Sequence, residues 1–208
     1  MKDSIQGPAY RIETPRLVIR CWNPGDALLL HKAIQDSVRH LLPWMPWANQ
    51  EPVSLSERIQ LLRHFRSNFD QDKDWIFGIF DTEENIVVGG TGFHPRVGPQ
   101  AIEIGYWIHV DHVGKGLATE ATQALTHVGF HVNKYQRIEI HCDPENQASA
   151  AIPERLGYTC EGTLRNRFPN GQGQLRDQMI WSVLPDEWKS RPQELEIKAF
   201  DAAGRKLL

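Results

Sequence analysis

Residues 102–121, IEIGYWIHVDHVGKGLATEA, leave the chain few ways to fold. Ile102, Ile104, Tyr106 and Ile108 alternate with Glu103, Gly105, Trp107 and His109, the period of a strand. The alternation stops at 111–115, passes through Gly114 and Gly116, and gives way to helical spacing at Leu117. A strand feeding a glycine-containing turn that opens a helix has the form of an anion cradle. The first N–H groups of a helix have no partner within it, and the aligned peptide dipoles place partial positive charge there. Glycine at 114 and 116 removes the Cβ atoms that would hold a phosphate away from the backbone. A tight connection that binds nothing carries the same pattern, so the motif needs its structural context.

The rest of the chain reads as short elements around this stretch. Residues 10–22 have the pattern of one opening strand, with Leu17 and Ile19 on one face and Val18 and Arg20 on the other. Asn23-Pro24 starts a helix carrying Leu30, Ile34, Val38 and Leu41. Residues 42–52, LPWMPWANQEP, form a stiff irregular connection, in which Trp44 and Trp47 either plug the core edge or wall a substrate pocket. Ser54-x-x-Glu57 is a capping box for a second helix with Ile59, Leu62, Phe65 and Phe69. Residues 75–80 and 86–93 read as a hairpin; Gly89, Gly90 and Gly92 mark a bulge or a close backbone approach. After the strand at 101–110, a helix spans 117–132 and a strand 137–142. A short helix then ends at Gly157, and strands at 158–165 and 175–183 follow. Residues 1–188 form one domain, and the polar, aperiodic 189–208 is a tail of uncertain order.

Composition removes several functions. A formal net charge of −3 argues against non-specific nucleic-acid binding, which needs a basic face. No apolar run is long enough for a bilayer span, and the N-terminus lacks a secretory core, so no membrane partner is expected. Cys21, Cys142 and Cys160 lack metal spacing and read as reduced thiols of a cytoplasmic protein. His127-x-x-x-His131 would place two nitrogens on one helix face but lacks a third ligand, so no metal is expected.

ETPRLVIR at 13–20, PWMPW at 43–47, EIGYWI at 103–108, GKGLATEA at 114–121, ENQAS at 145–149, RLGY at 155–158 and RDQMIWSVLPDEW at 176–188 occur in this order. Together they resemble the GNAT acetyltransferase superfamily, and within it the RimJ/RimL-like ribosomal-protein-alanine N-acetyltransferases. The resemblance implies an α/β (α+β) fold with a mixed, mostly antiparallel sheet of about seven strands, about four helices and splayed middle strands. It also implies acetyl-CoA as cosubstrate. The pyrophosphate would lie on backbone amides of Val113, Gly114, Lys115, Gly116, Leu117 and Ala118, with Thr119 nearby. The pantetheine arm would bond like an extra strand to Ile108 and Val110. The superfamily's usual Gln or Arg before the first glycine is Asp111 here, which is expected to point away.

Transfer requires a neutral amine, a donor for the developing oxyanion and a proton or hydrogen bond for the leaving thiolate. The resemblance makes Glu103 the first candidate base, with His141 on the neighbouring strand its rival. It makes Ser149 the candidate partner of the thiolate, and has Asn146 hold pantetheine or simply cap the helix. Many relatives carry a tyrosine acid where Pro153 stands; Pro153 instead predicts a kinked or late-starting helix. The expected activity is N-acetylation of an amine, favourably a protein N-terminal α-amine. A small amine (polyamine, amino acid or antibiotic) and a non-catalytic CoA sensor are the alternatives. Monomer and homodimer both stay open.

Overall fold

Residues 10–22 form two strands rather than one. In the computed structural model, which describes residues 8–190 and 194–208, β1 (Arg11–Glu13) and β2 (Val18–Cys21) pair antiparallel with Ile12 opposite Ile19. The chain reverses through Thr14-Pro15-Arg16-Leu17, closed by Thr14 N–H to Leu17 O at 3.0 Å and Leu17 N–H to Thr14 Oγ1 at 3.1 Å. Proline in the second position of such a turn is already at the φ it needs. The break is visible in parity: Ile12 is buried, and so are Leu17 and Ile19, five and seven residues on.

A short 3-10 turn leads into α1 (Ala27–Leu41), and the capping box of Ser54 and Glu57 opens α2 (Leu55–Asp70). Then come β3 (Trp75–Phe80), β4 (Val87–His94), β5 (Ala101–Ile108), α3 (Leu117–His131), β6 (Arg137–Cys142) and α4 (Gln147–Leu156). β7 (Thr159–Pro169), β8 (Leu175–Val183), α5 (Pro185–Lys189) and β9 (Lys198–Phe200) complete the order. The sheet runs β7-β8-β6-β5-β4-β3-β2-β1-β9. Its nine strands exceed the expected seven because the opening stretch is a hairpin and residues 198–200 add an edge strand. Among the described residues only the β5–β6 pair is parallel.

Each face of the sheet has its own core. Ile19, Phe77, Ile79, Phe93, Ile102 and Ile104 pack with α3 and α4, while Val18, Phe80 and Val87 pack with Leu30, Ile34 and Leu62 of α1 and α2. Gly90 fits the close approach expected of β4: a Cβ there would run into the Trp107 ring. Among the described residues no helix is long and apolar enough to cross a membrane.

Helix α4 does not start late. It begins at Gln147, directly after Asn146, whose Oδ1 accepts the Ser149 N–H at 3.1 Å. Pro153 lies inside it and offers no N–H to the Ser149 carbonyl. The Tyr106 hydroxyl meets that carbonyl at 3.1 Å instead.

Candidate active site

Strands β5 and β6 pair only at Ala101–Arg137, Ile102–Ile138 and Glu103–Glu139, although β5 continues to Ile108 and β6 to Cys142. Beyond Glu103 they diverge and leave a slot in the sheet. Which backbone groups face the slot follows from the other side of β5. His109 N–H donates to Val88 O at 2.8 Å, so Ile108 and Gly89, which stand opposite, are a pair that exchanges no hydrogen bonds. The N–H and C=O of Ile108 therefore point away from β4, toward the slot, and by alternation so do those of Tyr106. Val110 departs from expectation: its N–H already donates to Ser37 Oγ at 3.1 Å, because the chain leaves the sheet there and passes over α1.

At the end of β5 the turn brings Gly114 and Gly116 to φ +74° and +75°, a left-handed backbone that side chains disfavour. Gly116 is the N-cap of α3, and a Cβ built on Gly114 would meet nothing within 4 Å. The amides of Leu117, Ala118 and Thr119 open the helix and have no intrahelical acceptor. Leu117 sends its side chain into the core, so only its backbone is available, whereas Val113 and Lys115 are exposed and Thr119 is half-buried. The Asp111 side chain is 79% exposed and faces solvent. Open space, left-handed glycines and free helical amides together fit a diphosphate. Arg16 braces the turn from behind. Its Nη1 donates to the Lys115 carbonyl at 2.9 Å, and its Nε and Nη2 both lie 2.5 Å from Glu120 Oε2.

A cavity of about 730 Å³ reaches the slot from the α1/α2 side; its lining includes Trp44, Trp47, Glu103, Tyr106, His141 and Ser149. Trp47 packs edge-on against Trp107, ring centroids 6.1 Å apart, and Trp44 is half-buried beside it. The tip of the β7–β8 hairpin seats Gly171 against the Leu42 carbonyl, where no Cβ would fit. The tryptophan loop is thereby held as a wall.

Strand parity puts Glu103, Glu139 and His141 on the α1/α2 face, opposite Ile102, Ile104, Ile138 and Ile140. Glu103 is 5% exposed and accepts from Arg96 Nε at 2.7 Å and Nη2 at 2.5 Å. Burial would raise its pKa, but the Arg96 hydrogen bonds and the His141 and Arg96 charges outweigh it and hold the carboxyl below its usual range. His141 lies between two carboxylates: Nε2 is 2.7 Å from Glu139 Oε2 and Nδ1 is 3.5 Å from Glu103 Oε2. On the other face of the sheet, Ser149 Oγ is 3.1 Å from the Tyr106 hydroxyl. Burial pushes the Tyr106 phenol well above its ordinary value. The Cys142 thiol, also in the lining, is pushed up to about 11 by burial and is not poised as a nucleophile.

Arg96, Tyr106, Glu139 and Arg16 were not among the residues singled out from sequence. Tyr106 carried a signal: a hydroxyl on the core-facing parity of β5 needs a buried partner. Arg96 carried none, since its pairing depends on how the chain returns after β4. His127 and His131 stack, centroids 4.0 Å apart, and among the described residues no group of three or more His, Cys, Asp or Glu could hold a metal ion.

The family description "Acetyltransferase (GNAT) domain" matches residues 16–159. A relative from Escherichia coli K12, the ribosomal protein uS5 alanine N-acetyltransferase, is 28% identical over 186 residues, or 87% of this chain and 94% of its own length. A solved GNAT-family acetyltransferase from Bacillus anthracis has a TM-score of 0.71 at 28% identity, covering 85% of this chain and 99% of its own. RimL, the ribosomal L7/L12 α-N-protein acetyltransferase solved with coenzyme A, reaches 0.75 at 23% identity, covering 84% and 99%, and speaks for the fold. The match spans the slot, the glycine turn and α4, and the chain belongs to the GNAT acetyltransferase family as an N-acetyltransferase.

Proposed function

We propose that this enzyme transfers the acetyl group of acetyl-CoA to the N-terminal α-amine of a protein, of the kind its ribosomal-protein-acetylating relatives modify. The observation that carries the reading is the slot. A diphosphate cradle lies at the end of β5, an open strand edge leads from it, and a wide cavity opens on the acceptor side. Acetyl-CoA supplies an activated thioester; every other part of the reaction falls to the chain. The amides from Val113 to Ala118, with Thr119 beside them, would hold the diphosphate, and Tyr106 and Ile108 would offer the backbone edge to pantetheine.

A peptide acceptor is favoured by the size of the cavity, about 730 Å³. Glu51, Glu103 and Asp143 in the lining are paired with Arg58, Arg96 and Arg176, while Glu57 and Asp177 bond to the backbone N–H groups of Ser54 and Asn166 and are left to meet the charge of the acceptor's ammonium group. Trp44 and Trp47 supply the wall against which the acceptor's first residues would lie.

The Arg96 pair makes Glu103 alone a weak base for an ammonium group, so proton removal falls to Glu103 and His141 together. In its neutral form His141 would donate Nε2–H to Glu139, which leaves Nδ1 to receive the proton, directly or through water; the imidazolium so formed is the charge that holds the neighbouring Glu103 ionised. On the opposite face of the slot, Ser149 Oγ–H is the donor for the leaving thiolate. Asn146 caps α4 and so holds Ser149 in the first turn. The test is release of free CoA across a panel of peptides with small N-terminal residues, polyamines, amino acids and aminoglycosides. Turnover confined to peptides supports the reading. Preference for a small amine would overturn the acceptor, and binding of acetyl-CoA without turnover on any amine would overturn the activity.

A further inference from the structure

We infer that Arg16 is a positioning residue for the diphosphate of the donor; the inference rests on the cradle reading above. Arg16 comes from the β1–β2 turn, more than ninety residues before the glycine turn in sequence. Its Nη1 holds the Lys115 carbonyl at 2.9 Å. A trans peptide is planar, so its C=O and N–H point in opposite directions. Fixing the Lys115 carbonyl on Arg16 therefore fixes the Gly116 N–H on the opposite side of the turn. Gly116 sits at φ +75° with Arg16 Nη2 3.7 Å from where its Cβ would be, so the guanidinium backs directly onto this peptide.

Electrostatics gives the same residue a second task. Glu120 lies in the first turn of α3, 7% exposed, below the amides that meet the anion. An unpaired carboxylate there would oppose a diphosphate through a poorly screened interior. Arg16 pairs with it at 2.5 Å. Thr14 Oγ1 donates to the other oxygen at 2.7 Å, and the Arg16 backbone N–H reaches the same oxygen at 3.2 Å. The β1–β2 turn thus neutralises Glu120 and aims an amide in one contact.

The test compares two acetyl donors, acetyl-CoA and S-acetylpantetheine, which lacks the diphosphate. Arg16→Ala should lower kcat/KM for acetyl-CoA about tenfold to a hundredfold, the scale of one charge-assisted hydrogen bond and one unpaired buried charge, and leave S-acetylpantetheine nearly unchanged. Adding Glu120→Gln should recover part of the loss, because it removes the uncompensated carboxylate. Arg16→Lys keeps the charge without the forked grip; it should fold and show a smaller loss, again with acetyl-CoA only. An equal loss with both donors, or none with either, overturns the inference. Gly114→Asp, at a position whose Cβ would enter open space rather than approach Arg16, measured on the same two donors separates the failures. If Gly114→Asp discriminates between donors and the Arg16 variants do not, the inference fails alone. If Gly114→Asp does not discriminate either, the cradle itself is elsewhere.

Discussion

At the scale of single residues, Tyr106, Ser149 and Pro153 form one coupled arrangement. Pro153 takes away an N–H, and the Ser149 carbonyl it leaves unpaired meets the Tyr106 hydroxyl at 3.1 Å. Tyr106→Phe should then cost about 1–3 kcal/mol of stability, the penalty of an orphaned buried acceptor. In a Pro153→Ala background, which restores a main-chain donor, the same change should cost measurably less; additive losses in urea denaturation would show the carbonyl is not the link. Glu103 and His141 were legible from the family resemblance and from their places on neighbouring strands, but their chemistry was not, because Arg96 and Glu139 reach them through tertiary structure. Glu103→Gln should lower kcat about a hundredfold with the acetyl-CoA KM nearly unchanged; an unaltered pH–rate profile would remove Glu103 from the proton path.

At the scale of elements, the passage from β5 through the turn to α3 was readable because its periodicity switches from two to helical within a few residues. What periodicity could not show was the ladder's phase, which points Ile108 into the slot and commits the Val110 amide to Ser37. The opening hairpin was hidden for a similar reason: a proline suits a strand start and a turn equally. Gly116→Asp should weaken acetyl-CoA binding at least tenfold, since it puts a strained, charged side chain at φ +75°; titration calorimetry reads this directly. Helix α3 also carries a pH-dependent weakness. Burial, and then the stacked His131, lower the His127 pKa from 6.5 to about 4. Between those values the unfolded chain binds the extra proton, so stability is full above pH 6.5 and falls as pH drops toward 4. His127→Gln should flatten that part of the Tm–pH curve; an identical slope would place the sensitivity in other groups.

At the scale of the whole molecule, one nine-stranded sheet separates two cores, and the slot between β5 and β6 is where the two faces communicate. The base candidates approach from the α1/α2 face and Ser149 from the other. The segment after residue 188 was hard to read because three residues give too short a pattern. Yet β9 pairs with β1, Ala199 opposite the fully buried Ile12, and Tyr10 N–H donates to Phe200 O at 2.8 Å. Residues 191–193 of the expected tail, and 1–7 of the expected domain, lie outside the described residues. Truncation after Lys189 should lower Tm by roughly 5–10 °C, the effect of uncovering a sheet edge and part of a core, and leave kcat/KM at 25 °C unchanged. An unshifted Tm would mean β9 adds nothing to the fold. The central claim concerns backbone amides, and amide hydrogen exchange with and without acetyl-CoA reads them one at a time. Saturating acetyl-CoA should protect Gly116, Leu117, Ala118 and Thr119 at the turn, together with Tyr106 and Ile108 along the slot. Protection elsewhere, with these six amides exchanging as before, would contradict it.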